Sequence, residues 1–165
     1  MKYWRWILLA LLGLIVCLFL IRLVLPSQID DVTPGIPCED YLLEKSDVLY
    51  VIPLFENKSI AEDREWCEKT LSLDKELAMH GVYHTWKEFD ENRDAEYLQR
   101  GIEEFEKCFG FAPERFKPSQ IIISDSNARL VLNSMELDLR WNQIFHKVYH
   151  CNDSGLYPNW LIGIF

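Results

Sequence analysis

The chain has 165 residues, a net charge of −9 at pH 7, 49% apolar residues and 26% charged residues. That length holds one domain or one domain with an appendage, and the composition is globular rather than disordered. An acidic surface repels phosphate backbones, which argues against nucleic acid as a partner.

The charge is uneven, because the first 22 residues carry Lys2, Arg5 and Arg22 and no acid. Trp6 to Ile21 is an apolar run broken only by Gly13, and Leu23-Val24-Leu25 continues it beyond Arg22. A transmembrane helix over residues 6–25 is expected, since about 20 residues cross a bilayer. Arg22 would snorkel at one end, and Tyr3, Trp4 and Trp6 suit the other interface. A cleaved signal peptide is the alternative, but residues 22–29 offer no small-residue cleavage pattern. Lys2 and Arg5 before the span, against Arg22 after it, place the N-terminus in the cytoplasm and the domain outside. Residues 1–26 are thus read as a membrane anchor and 27–165 as the domain.

The domain alternates strands and helices. Ser27–Val32 reads as a short strand ending in two acids, and Thr33–Pro37 as a loop. Cys38–Ser46 reads as a short helix and Val48–Pro53 as a buried strand. Arg64–Leu73 is helical and Leu77–Gly81 is a third strand. Glu96–Phe109 carries apolar residues at helical spacing and stops at Gly110. Arg115–Ile123 contains a fourth strand, and Ser124–Met135 is a helix capped by Ser124 or Asp125. Leu137–Leu139 and Lys147–His150 are further strands, and Pro158–Phe165 is a closing helical turn or two. The pattern gives an α/β fold with parallel strands. It is too short for a full (β/α) barrel of ~250 residues, so an open sheet or an incomplete barrel remains.

Cys17 lies in the apolar span. Cys38, Cys67, Cys108 and Cys151 lie in the domain and, outside the cytoplasm, pair in one of three ways or stay as buried thiols. None has the C-x-x-C spacing of a zinc knuckle.

Asp30-Asp31, His80-Gly81-Val82-Tyr83-His84 and Val148-Tyr149-His150 each fall at the end of an expected strand. The carboxyl ends of parallel strands share one face, where ligands bind. Two imidazoles with one carboxylate suit zinc or a similar metal and leave positions open, while the second Asp is free to act as a base.

This order of motifs resembles the polysaccharide deacetylases, a carbohydrate esterase superfamily. More narrowly it is similar to a prokaryotic branch with a His-Gly-x-x-His motif followed by Glu-Phe, here Glu88-Phe89. Ile52-Pro53 and Phe109-Gly110-Phe111-Ala112-Pro113 fit the same branch, and the resemblance spans Ile29 to Asp153. It implies a small incomplete (β/α) barrel of six or seven strands, here preceded by one transmembrane helix. Asp31, His80 and His84 would be ligands of a divalent metal, zinc by preference. Asp30 would be the general base and His150 the general acid. Arg115 and Lys117 would support the base, with Lys117 where the family has an Arg. Asp138 is the nearest match to the acid that orients the closing histidine.

The implied function is a membrane-anchored hydrolase removing N-acetyl groups from an extracytoplasmic glycan or glycolipid. The alternative is a catalytically reduced relative that binds carbohydrate or metal. Trp86 would line a sugar site or enter the core. Trp66 and Trp141 read as core or pocket wall, and His146 as surface or packing.

Overall fold

The computed structural model describes residues 2–165, so Met1 of the expected anchor lies outside the described residues. A helix, α1 (Lys2–Val24), opens the chain and is exposed over most of its length. Its stretch Tyr3–Val24 has a mean hydropathy of 3.0 and is 6% buried. It is long and apolar enough to span a membrane or to be a signal sequence. The expected span began at residue 6; the helix starts earlier and ends one residue sooner.

Arg22 departs from the snorkelling expectation. The residue is 7% exposed, and its guanidinium donates from Nε to the Phe165 carbonyl at 3.0 Å and from Nη1 to that of Ile144 at 2.9 Å. It also lies over the Phe165 ring. The acceptors sit at the carboxyl ends of two short helices, where carbonyls lack intrahelical partners. They draw the cation into the domain.

Six parallel strands follow: β1 (Gln28–Val32), β2 (Val48–Val51), β3 (Glu76–His80), β4 (Arg115–Lys117), β5 (Glu136–Leu137) and β6 (Val148–His150). Their order is β5-β4-β3-β2-β1-β6. Among the described residues β5 and β6 do not pair, so the sheet stays open, as an incomplete barrel requires. Both faces of β1 and β2 are buried, which explains the apolar sequence of β2, whereas β1 buries Gln28, Asp30 and Asp31 among its five residues.

Helices α2 (Asp40–Lys45), α3 (Arg64–Ser72), α4 (Ala95–Phe109), α5 (Asp125–Leu132), α6 (Arg140–Phe145) and α7 (Asn159–Ile164) fill the connections and the chain's end. In α4, Asp94 caps the first turn through the Tyr97 N–H, and Gly110 ends the helix at φ 83°. Its Phe105 and Phe109 pack with Ile29, Leu49, Val51 and Tyr149. A second cluster joins Met79, Val82, Phe89, Leu98 and Phe116.

Two elements differ from expectation. The strand within 115–123 ends at Lys117, because Gln120 and Ile121 turn the chain at φ 52° and 55°. Helix α6 was not expected; six residues are too few for a helical period to show. Of the aromatic side chains, Trp66 packs on Phe109, whereas Trp141 is 72% exposed and stacks on Phe145 instead of entering the core.

Cys38 pairs with Cys151 and Cys67 with Cys108, with Cα atoms 4.6 and 5.5 Å apart. Cys17, on α1, is free. The first bridge ties the loop after β1 to the residue after β6, and the second ties α3 to α4. The bridged residues are 113 and 41 positions apart, so each closure removes about 4–5 kcal/mol of unfolded-chain entropy in the loop-closure model. Denatured, unreduced protein is expected to titrate one thiol, and reduced protein five. Replacing Cys67 and Cys108 together by Ser should lower the chemical-denaturation stability by ~2–5 kcal/mol.

Candidate active site

The carboxyl end of β1 carries a register irregularity between Ile29 and Val32, and Asp31 adopts φ 66°. In a regular strand, consecutive side chains point to opposite faces. A bulge breaks that alternation, so both Asp30 and Asp31 reach one cavity. The end of β3 delivers His80, which is in register with Lys117 of β4. The chain then turns at Gly81 (φ 63°) and presents His84 at φ 59°. Backbone held in left-handed conformations at non-glycine residues costs about 1–3 kcal/mol each and gathers at functional sites.

One ligand atom each from Asp31, His80 and His84 lies within 4.8 Å of the others. Asp31 Oδ1 is 3.4 Å from His80 Nε2 and 3.0 Å from His84 Nε2. His80 Nδ1 faces the Lys117 carbonyl at 3.0 Å. Donation to that carbonyl puts a ring proton on Nδ1 and turns Nε2 toward Asp31. Ser154 Oγ donates to the other Asp31 oxygen at 2.6 Å. The donor set fits a divalent metal of the zinc kind, with open positions. Burial pushes the Asp31 carboxyl up, but hydrogen bonds from both histidines outweigh it and hold it far below the usual carboxylate range.

His84 is positioned by Glu88. This fully buried carboxylate accepts from the backbone N–H groups of Val82, Tyr83 and His84 and from the Tyr97 hydroxyl. Converging backbone N–H groups of this kind form an anion nest. A side chain at Gly81 would collide with Glu88, so the Gly in His-Gly-x-x-His serves both the turn and the nest.

Asp30 sits apart from this cluster. Its Oδ1 accepts from Lys117 Nζ at 2.7 Å. Its Oδ2 accepts from Gln143 Nε2 at 3.2 Å and lies 3.7 Å from His150 Nε2. Burial raises the Asp30 pKa, but Lys117, His80 and His150 more than offset this, keeping it below the usual range. Lys117, wholly buried, also donates to Gln28 at 2.8 Å and lies over the Tyr50 ring. It therefore braces Asp30 as a point charge, without the fork of an Arg.

Arg115 pairs with Asp138 and Glu76, not with Asp30. Asp138 also binds Tyr50 and does not reach His150. The His150 ring lies against Gly155, where a side chain would overlap it. Its Nδ1 is buried without a partner among the described residues. Trp86 is 76% exposed and lines the cavity. His146 Nδ1 donates to the Pro26 carbonyl, a packing role. Gln143, Ser154 and Gly155 were not singled out from the sequence.

No protein-family model and no curated protein matches the sequence. Solved structures do resemble it. A wild-type CE4 family pseudoenzyme from Bacillus anthracis is 10% identical over 62% of this chain and 44% of its own, with a TM-score of 0.48. A proposed polysaccharide deacetylase from Mycobacterium smegmatis is 19% identical over 60% of this chain and 30% of its own, at 0.44. A structure described as T48 deacetylase with substrate is 10% identical over 76% of this chain and 87% of its own, at 0.42. The chain spans under half the length of the first two, and at such identities and TM-scores the likeness assigns no residue roles and does not reach the narrower prokaryotic branch.

Two variants separate the parts of the site. Glu88→Gln places amide hydrogens against backbone N–H groups and should weaken Zn²⁺ binding ~10–100-fold by calorimetric titration. Gly155→Ala displaces His150 but should leave Zn²⁺ affinity near wild type.

Proposed function

We propose that the chain is a membrane-anchored, metal-dependent hydrolase that removes N-acetyl groups from an amino sugar in an extracytoplasmic glycan or glycolipid. One observation carries the reading: a three-donor metal set lies beside a second buried carboxylate and an imidazole, all in one cavity.

Asp31, His80 and His84 would hold a divalent metal, which when bound would supply Lewis-acid polarisation of the amide carbonyl and acidify a water toward neutral pH. Asp30 is the base. Lys117 donates to its Oδ1 at 2.7 Å and Gln143 to Oδ2 at 3.2 Å, and the more weakly held Oδ2 takes the proton from the attacking water. The water oxygen bonds to the carbonyl carbon and the C–N bond breaks. His150 Nε2, 3.7 Å from Asp30 Oδ2, donates a proton to the departing amine, giving acetate and the free amino sugar. Trp86 offers an aromatic face for a sugar ring.

Three features support the placement. The two disulfides suit an oxidising compartment. The basic residues Lys2 and Arg5 lie in the first turn or so of α1. Arg22 is bound into the domain, which suits an anchor that is kept. A binding protein with reduced catalysis is the second reading, favoured by the unpartnered His150 Nδ1.

Asp30→Asn keeps the shape and removes the base. Acetate release from acetylated amino sugars should fall ~10²–10⁴-fold, with zinc content unchanged. His84→Ala should remove zinc and activity together. Zinc-loaded wild-type protein that releases no acetate from any such substrate would favour the second reading. In sealed, right-side-out vesicles, external protease should digest residues 27–165; protection of that segment would reverse the orientation.

A further inference from the structure

We propose that the site's substrate is a lipid: an N-acetylated amino sugar carried through a phosphate on a membrane lipid, with the lipid chain lying in the groove between the site and α1. The inference rests on the hydrolase reading above and names its substrate class.

The cavity that holds Asp30, Asp31, His80, His84 and His150 continues to Arg22 and Phe165. Its volume is about 1190 Å³, beyond the usual ~300–1,000 Å³ of a small-molecule site, so it has room for more than one sugar. Its lining includes the aliphatic side chains of Ile144, Leu156, Leu161 and Ile162 beside the polar Gln143 and Asn152. Leu156 is 89% exposed and Ile144 37%. These exposed aliphatic side chains suit a hydrocarbon chain better than a polar polysaccharide.

The far end of the groove identifies where that chain comes from. The Phe165 ring is 6.1 Å from Phe19, a residue inside the apolar stretch of α1, and Phe165 also holds Arg22. The groove is therefore continuous with the helix proposed to lie in the bilayer. A lipid in the same leaflet enters from that end with its head toward the metal ligands.

Charge at the groove fits a phosphate link. Arg140 lines it and makes no ion pair among the described residues. Its guanidinium, in a chain of net charge −9, offers an anion a partner, and guanidinium matches phosphate geometry.

The test uses the full chain, zinc-loaded, in lipid nanodiscs. The two probes share one head, N-acetylglucosamine 1-phosphate, esterified either to a long isoprenoid alcohol or to methanol. Acetate release should give kcat/KM ~100-fold higher for the long-chain ester. Partition into the disc raises the rate for any lipid, so the deciding reading is Leu156→Asp, which should shrink the ratio between the probes ~10-fold. Equal rates on both probes, or an unaltered ratio in Leu156→Asp, overturn the lipid inference and leave the hydrolase reading standing. Native mass spectrometry of the detergent-solubilised chain reads binding without turnover. If neither ester is hydrolysed, yet the long-chain ester binds and Leu156→Asp weakens it ~10-fold, the lipid inference stands and the hydrolase reading falls. No turnover and no binding overturn both.

Discussion

The site depends on an irregularity in β1 that turns two consecutive carboxylates toward the same cavity. A regular strand would send Asp30 and Asp31 to opposite faces. The register shift between Ile29 and Val32, with Asp31 at φ 66°, removes that constraint. Asp31 then meets the two histidines, while Asp30 meets Lys117 and His150. The strain is held by surroundings that leave no freedom: Ser154 anchors Asp31, β1 lies between β2 and β6, and the Cys38–Cys151 bridge fastens the following loop.

The two carboxylates have different partners, and this divides their work. Removing either charge from water is costly unless opposing charges and hydrogen bonds answer it. Lys117 answers Asp30 with a buried ammonium, itself held by Gln28 and Tyr50. Asp31 has only imidazoles and a hydroxyl, a surrounding that a divalent cation completes. Glu88 is a third buried carboxylate, answered by backbone N–H groups and a phenol. It acts on the site only by fixing the loop that bears His84.

Much of this was legible in the sequence because parallel α/β folds bring strand ends together. Asp30, Asp31, His80, His84 and His150 could be placed on one face from their order alone, and Lys117 from its motif. The position of β2 followed from its apolar run, and α4 from its period and its terminal Gly110. The rest had no local signal. Neither Asp-Asp nor its flanks contain a glycine to announce the bulge. Gln143 and Ser154 reach their partners across 113 and 123 residues. Helix α6 is shorter than two turns. The docking of Arg22 depends on carbonyls supplied by segments more than 120 positions away.

The central claim is that Asp31, His80 and His84 together hold one metal ion. X-ray absorption at the zinc edge on the purified, zinc-loaded full chain tests it most directly. The account predicts one zinc per chain, with a first shell of two imidazole nitrogens plus oxygens, and loss of the imidazole signature in a His80→Ala, His84→Ala variant. A chain that retains no zinc, or zinc whose spectrum is the same in that variant, would contradict it.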